Sequence, residues 1–433
     1  MSISKSSAFN LKVVLKETGI AADTLRAWER RYGLPMPERT PGGHRLYSQH
    51  DIETIKWLMA RQTEGLSISR AVDMWNEQTS SGSDPLAGLH QPAPAPAPSM
   101  SLENTRLAWI TACFNYDTVA TEQILNQAFA IHSVEVICTD VLLRSLYEIG
   151  ELWHKGTASV QQEHFTSAIA TRRLEALINA TPPPSRTETI ITACPPEEWH
   201  TFPLLLMTLF LRRRGWNVVY LGANVPTDRM EETIQTIHPE LVILSAQTLI
   251  TAVPLREMAR LLNKKGIKTA FGGRVFNRLT DLPGRIPAYF LGNTIEYSVP
   301  AIEKLITNQQ PLPSEEPIKK STLQTTVAFR QMRSQIESAL AEVDASNSHP
   351  LEFIETANRF LGDSLIAALE LGDTAYLSTD INWISNLLIG HKVSVVMLPI
   401  YLEMYARLID EVMGESGKEI SDWLKFESAK LKT

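Results

Sequence analysis

At 433 residues, 44% hydrophobic and 21% charged, the chain is long enough for about two to four globular domains and is not disordered. No apolar run nears the roughly 20 residues that cross a bilayer, and the start MSISKSSAFNLK lacks a signal peptide's apolar stretch, so a cytoplasmic protein without a membrane partner is expected. Cys113, Cys138 and Cys194 are too widely spaced for a disulfide framework or a CxxC pair, and the net charge of −7 divides into +3 over residues 1–75 and −10 over the rest, which suits a small nucleic-acid-binding head on an acidic body.

Leu11, Val14 and Leu15 precede the turn Thr18-Gly19-Ile20, and Ala22-Asp23 open a second helix, DTLRAWERRYGL, with Asp23 expected at its N-cap. Gly42-Gly43 then sits between two short polar arms in PERTPGGHRLYS, a hairpin signal. Arg26, Arg30 and Arg31 with Trp28 and Tyr32, followed by Arg39, His44, Arg45 and Tyr47, form a basic set interleaved with aromatics. Cations neutralise phosphates, and the start of such a helix reaches base edges. The bland reading is a solvated basic face over an aromatic core.

The run TGIAADTLRAWERRYGLPMPERTPGGHRLYSQHDI, however, resembles the winged helix-turn-helix of the MerR regulators, including the wing R-x-x-G-G-H-R-x-Y at Arg39 to Tyr47. The resemblance implies double-stranded operator DNA as partner. It assigns Thr24, Arg26 and Arg31 to DNA contact from the helix, and Arg39, His44, Arg45 and Tyr47 from the wing. Metal-sensing members carry cysteines just after this head; this chain carries none there, so another effector is expected.

Residues 77–101 are Ser/Gly-rich and then alternate Pro with Ala, the composition of an extended spacer. Residues 102–183 show apolar steps of three and four throughout, for which a four-helix bundle is the economical packing. Over 187–308 the period changes: TIITAC, NVVYLG, LVILSA, IKTAFGG and AYFLG are short β-rich runs separated by helical segments, the pattern of a doubly wound parallel sheet. The expected whole is a multidomain α and α/β chain: a head at 1–76, the linker, the bundle, the sheet domain, and an all-α extension at 322–433.

Glu198-Trp199-His200 directly follows the first strand of that sheet, at the strand ends where ligands bind. An imidazole is a good axial ligand for cobalt, and a carboxylate two residues before it can orient the ring. A lone loop histidine is more often structural. The wider segment EWHTFPLLLMTLFLRRRGWNVVYLGANVP is similar to the cobalamin-binding domain of corrinoid methyltransferases and mutases, whose D/E-x-H-x-x-G loop puts the cobalt-ligating histidine at His200. The resemblance extends to Ser245, Thr248, Gly272 and Gly273, small residues that admit the cofactor's nucleotide tail. The loop glycine is replaced by Pro203, which fixes φ and lacks a donor, so a different loop or weaker ligand binding is expected.

In the bundle, the pattern W-H-x8-E-H at Trp153, His154, Glu163 and His164, with Val160, looks like the adenosyl pocket of CarH-type cobalamin photoreceptors. That likeness implies adenosylcobalamin as cofactor. Trp153 and Val160 would shape the upper pocket, Glu163 and His164 would contact the adenosyl group, and His154 would take the upper cobalt position after photolysis. It further implies a repressor that assembles on DNA in the dark as a homo-oligomer and is released by light, and not an enzyme. Two other readings stand beside it: a regulator using the cobalamin fold only as a protein-interaction scaffold, and a corrinoid methyl carrier, for which the wing has no use.

The helical extension is expected to be an oligomerisation or regulatory-partner module. The sharper reading is a tetrapyrrole pocket built on Trp383, His391 and Tyr401, distantly resembling the extension of bilin-binding photocobilins. No cysteine lies in 322–433, so the bilin or haem would be non-covalent.

Overall fold

The computed structural model describes residues 6–63, 66–80, 85–86, 101–308, 310–345, 354–381, 384 and 397–432, in two compact units, 1–100 and 101–433. Most of the Pro/Ala segment, residues 87–100, lies outside the described residues.

In the first unit, β1 (Ser7–Asn10) leads into α1 (Leu11–Thr18), α2 (Ala22–Tyr32), β2 (Glu38–Arg39), β3 (Arg45–Ser48), α3 (Gln49–Thr63) and α4 (Ile68–Ser80). Asn10 caps α1 by accepting from the Val13 amide at 3.1 Å, and Gly19 and Gly33 end α1 and α2 in the left-handed conformation. The expected N-cap at Asp23 is corrected: the cap lies two residues earlier, at Ala21, and Asp23 sits in the first turn of α2, where its charge still favours the positive helix end. The strands form an antiparallel sheet in the order β1-β3-β2. Val14, Leu25, Trp28, Tyr47, Ile55, Leu58 and Trp75 fill the core.

The second unit opens with the bundle: α5 (Leu102–Phe114), α6 (Thr118–Ile131), α7 (Val134–Val136), a π-helical segment Ile137–Leu143, α8 (Arg144–His154) and α9 (Val160–Asn179). Ser101, Asp117, Ser133 and Ser159 each cap a helix through a side-chain oxygen. β4 (Thr189–Ala193), α10 (Phe202–Arg213), β5 (Asn217–Gly222), α11 (Met230–Ile237), β6 (Leu241–Ser245), α12 (Leu249–Lys264), β7 (Thr269–Gly272), α13 (Arg274–Arg278), β8 (Tyr289–Phe290) and α14 (Ile295–Thr307) follow. The sheet is parallel, in the order β5-β4-β6-β7-β8, so every strand ends at one edge. Bundle residues such as Trp109, Cys138 and Ile169 share a core with Leu205 and Leu209 of α10 on one face of the sheet.

The extension comprises α15 (Lys320–Ala345), α16 (Ile354–Leu371), α17 (Met397–Met413) and α18 (Lys418–Leu431). Its core is continuous with the other face of the sheet, joining Leu365, Ala368, Leu402 and Leu424 to Leu255, Met258 and Leu262 of α12. Arg256 of α12, 4% exposed, donates to the Glu370 carbonyl at the end of α16. The Pro-rich stretch before α15 is strapped to the sheet domain: Arg260 pairs with Glu315 at 2.9 Å, and Asn263 donates to the Pro313 carbonyl at 2.8 Å.

Candidate functional site

β4 delivers the Glu198-Trp199-His200 loop to the C-terminal edge of the sheet. Glu198 is fully buried. Its Oε1 accepts from the His200 amide at 2.8 Å and lies 2.7 Å from His200 Nδ1; its Oε2 accepts from the Gln247 amide and the Thr251 hydroxyl, both at 2.7 Å. Burial pushes the carboxyl up, but these hydrogen bonds outweigh it and hold the group below the ordinary carboxylate range. An ionised Glu198 fixes the proton on Nδ1 and leaves Nε2 with the free lone pair. The Glu198 hydrogen bond raises the His200 imidazole above its ordinary value against the effect of burial, with the Glu163 charge adding to it and that of Arg274 opposing. The His200 side chain is 67% exposed, open to a ligand.

Pro203, expected to disturb this loop, falls in the first turn of α10. An amide there has no helical partner and proline's φ is already helical, so the replacement carries no visible cost. Beside the loop is a cleft of about 300 Å³, lined among others by Pro203, Leu204, Met207, Ser245, Gly272 and Gly273. A Cβ on Gly272 would meet only open space, and one on Gly273, at φ +130°, would fall 1.9 Å from the Ala246 carbonyl oxygen. The chain turns there only because the residue is glycine. Thr248 departs from expectation: it is exposed and spends its hydroxyl capping α12 in a reciprocal box with Thr251.

These residues fit a corrin. Among the described residues no group of three or more His, Cys, Asp or Glu could hold a bare metal ion, whereas cobalt in a corrin needs one axial protein nitrogen, and the cleft offers a slot for a nucleotide arm.

Across the site, Trp153 ends α8 half-buried, Val160 begins α9, and His164 Nδ1 lies 2.6 Å from Glu163 Oε2. The His154 side chain lies outside the described set. Arg274, which follows Gly273, reaches back to Glu151 of α8 at 3.1 Å, and its amide donates to Gln247 Oε1 at 3.1 Å. Gln247, Thr251, Arg274 and Glu151 carry no motif signal.

In the head, Thr24, Arg26 and Arg31 are exposed along α2, and Arg39 and His44 on the wing. Tyr47 corrects the expectation of DNA contact: it is fully buried, and its hydroxyl donates to Glu29 Oε1 at 2.6 Å. Arg45 Nε donates to the other Glu29 oxygen at 2.7 Å. Strand alternation puts residues 45 and 47 on one side, and Glu29 of α2 clamps both, fixing the wing against the helix.

In the extension, Tyr401 is a core residue whose hydroxyl donates to Asn358 Oδ1 at 2.9 Å, with its ring edge-on to Tyr405. This corrects its expected place in a tetrapyrrole pocket. Trp383 and His391 lie outside the described residues. No helix among the described residues is long and apolar enough to cross a membrane.

A winged helix-turn-helix followed by a helical bundle and a parallel sheet with a histidine loop defines a DNA-binding regulator with a cobalamin-binding module. The model of MerR HTH family regulatory proteins matches residues 9–78, and models of B12 binding domains match residues 108–178 and 188–282. The HTH-type transcriptional repressor CarH of Myxococcus xanthus is 31% identical over 237 residues, covering 55% of this chain and 78% of that protein. Its counterpart CarA from the same organism is 31% identical over 238 residues, covering 54% and 75%. The chain belongs to this family of MerR-type, B12-domain transcription regulators. The Methanosarcina barkeri monomethylamine corrinoid protein matches 46% of this chain and 98% of its own at 19% identity and a TM-score of 0.39.

Proposed function

We propose that the chain is a light-responsive repressor in the cytoplasm that binds operator DNA as a homo-oligomer while adenosylcobalamin is bound in the dark, and releases it on illumination. The observation that carries this reading is the Glu198–His200 loop at the strand ends, with α8 of the bundle tied to the same edge by the Arg274–Glu151 pair at 3.1 Å. When bound, adenosylcobalamin supplies a cobalt–carbon bond that light breaks. His200 Nε2 would hold the cobalt, and Glu198 would keep the ring in the ligating tautomer. Ser245, Gly272 and Gly273 leave room for the nucleotide arm. Trp153 and Val160 shape the upper space, Glu163 and His164 contact the adenosyl group, and His154 serves as the replacement upper ligand. In the head, Thr24, Arg26, Arg31, Arg39, His44 and Arg45 meet DNA, with Tyr47 and Glu29 bracing the wing.

The test compares the full chain loaded with adenosylcobalamin in the dark and after illumination, using DNA selected by the protein from a random pool. The expected outcome is a changed corrin spectrum, a smaller assembly and weaker DNA binding after light. His200→Ala is expected to lose the ligation band. Loading with no response to light in spectrum, assembly or DNA affinity overturns the light switch; failure to load overturns the cofactor.

A further inference from the structure

The cleft that holds Ser245, Gly272 and Gly273 is not made by the sheet domain alone. Its remaining wall comes from the bundle: Thr139 and Leu143 of the π-helical segment, and Arg144 and Tyr147 of α8. None of these four belongs to the upper-face set at residues 153–164.

Three of the four bring polar groups to this wall. Thr139 is 8% exposed and lines the cleft, where its hydroxyl keeps contact with solvent. Tyr147, 44% exposed, adds a phenol to the same wall. Burial raises its phenol above the ordinary value, as for a ring standing within walls. Arg144, with its side chain 61% exposed, supplies a cation at the same wall and pairs with the half-buried Asp140 at 3.0 Å, while Glu296 lines the cleft from the sheet domain. Two hydroxyls and a guanidinium along one wall of a cleft suit a ligand portion rich in acceptors and carrying a negative charge. π-helical insertions recur where a helix must present side chains to a ligand.

We infer that Thr139, Arg144 and Tyr147 form the bundle-side wall of the nucleotide slot and hydrogen-bond the phosphodiester-bearing nucleotide arm of the bound cobamide. This rests on the cobalamin reading above and deepens it. The bundle then grips the cofactor twice, over its upper face and along its arm.

The experiment titrates the full chain in dim red light with hydroxocobalamin and with cobinamide, which has the same corrin but lacks the nucleotide arm, following the corrin absorbance. The variants are the isosteric pair Thr139→Val/Tyr147→Phe, and Arg144→Gln. Two neutral hydrogen bonds lost predict an approximately tenfold weaker affinity for hydroxocobalamin in the double variant, with cobinamide affinity unchanged. Arg144→Gln is expected to flatten the salt dependence of hydroxocobalamin binding alone. Equal losses for both ligands, or no loss for either, overturn the inference. If the unaltered chain takes up neither corrin, the cobalamin reading itself has failed. Circular dichroism of each variant confirms that the isosteric changes leave the fold intact.

Discussion

Glu198 has no solvent contact and spends both oxygens on named donors. Such a buried carboxylate tolerates loss of a partner poorly. Thr251→Val is therefore expected to lower cobalamin affinity about tenfold, within the range for outer-shell partners of metal ligands, with Thr251→Ser restoring it; absorbance titration reads both. Unchanged affinity in Thr251→Val would mean that the hydroxyl does not act through His200. Glu198 and His200 were legible because they are two residues apart behind a strand. Gln247 and Thr251 were not, since they are 49 and 53 residues from Glu198 in sequence and only the fold brings them in. The wing motif likewise names Tyr47 without saying which way it faces; its partner, Glu29, lies on another element.

Among the elements, α13 is five residues long yet reaches both the bundle and the extension. Arg274 at its start pairs with Glu151 of α8, and Arg278 at its end donates to the Thr379 carbonyl of the extension. The Arg274–Glu151 pair is partly exposed, so its worth is at most about 1 kcal/mol, a strength suited to a contact that must open. Arg274→Glu is expected to speed hydrogen exchange in α8 about two- to fivefold, and Glu151→Arg added to it to restore protection. A double variant no better than the single one would show that the pair does not hold α8. Elements with strong periods, such as β5 and β6, stood where the sequence put them. β1 was missed because four residues give too short an alternation, and the π-helical segment because one extra residue per turn leaves the apolar pattern helical.

At the scale of the molecule, the helical periods of residues 322–433 reveal amphipathic faces but not what they cover. The structure supplies the answer: α12 is apolar on more than its sheet-facing side, and the extension completes its burial. A chain ending at residue 308 should therefore bind a hydrophobic dye and melt at a lower temperature than the full chain, because Leu255, Met258 and Leu262 lose cover worth roughly 2 kcal/mol each. An unchanged melting temperature without dye binding would show that the extension adds nothing to that core.

The bundle is seated on the opposite face, where α9 packs on α10. Lifting it clear would wet that whole contact at a similar cost per side chain. A displacement in which α9 keeps its seat while α8 slides past the cobalt loop avoids the penalty. The switch is then better pictured as a drawer than as a lid: a shear between packed helices whose travel is limited by side-chain interdigitation.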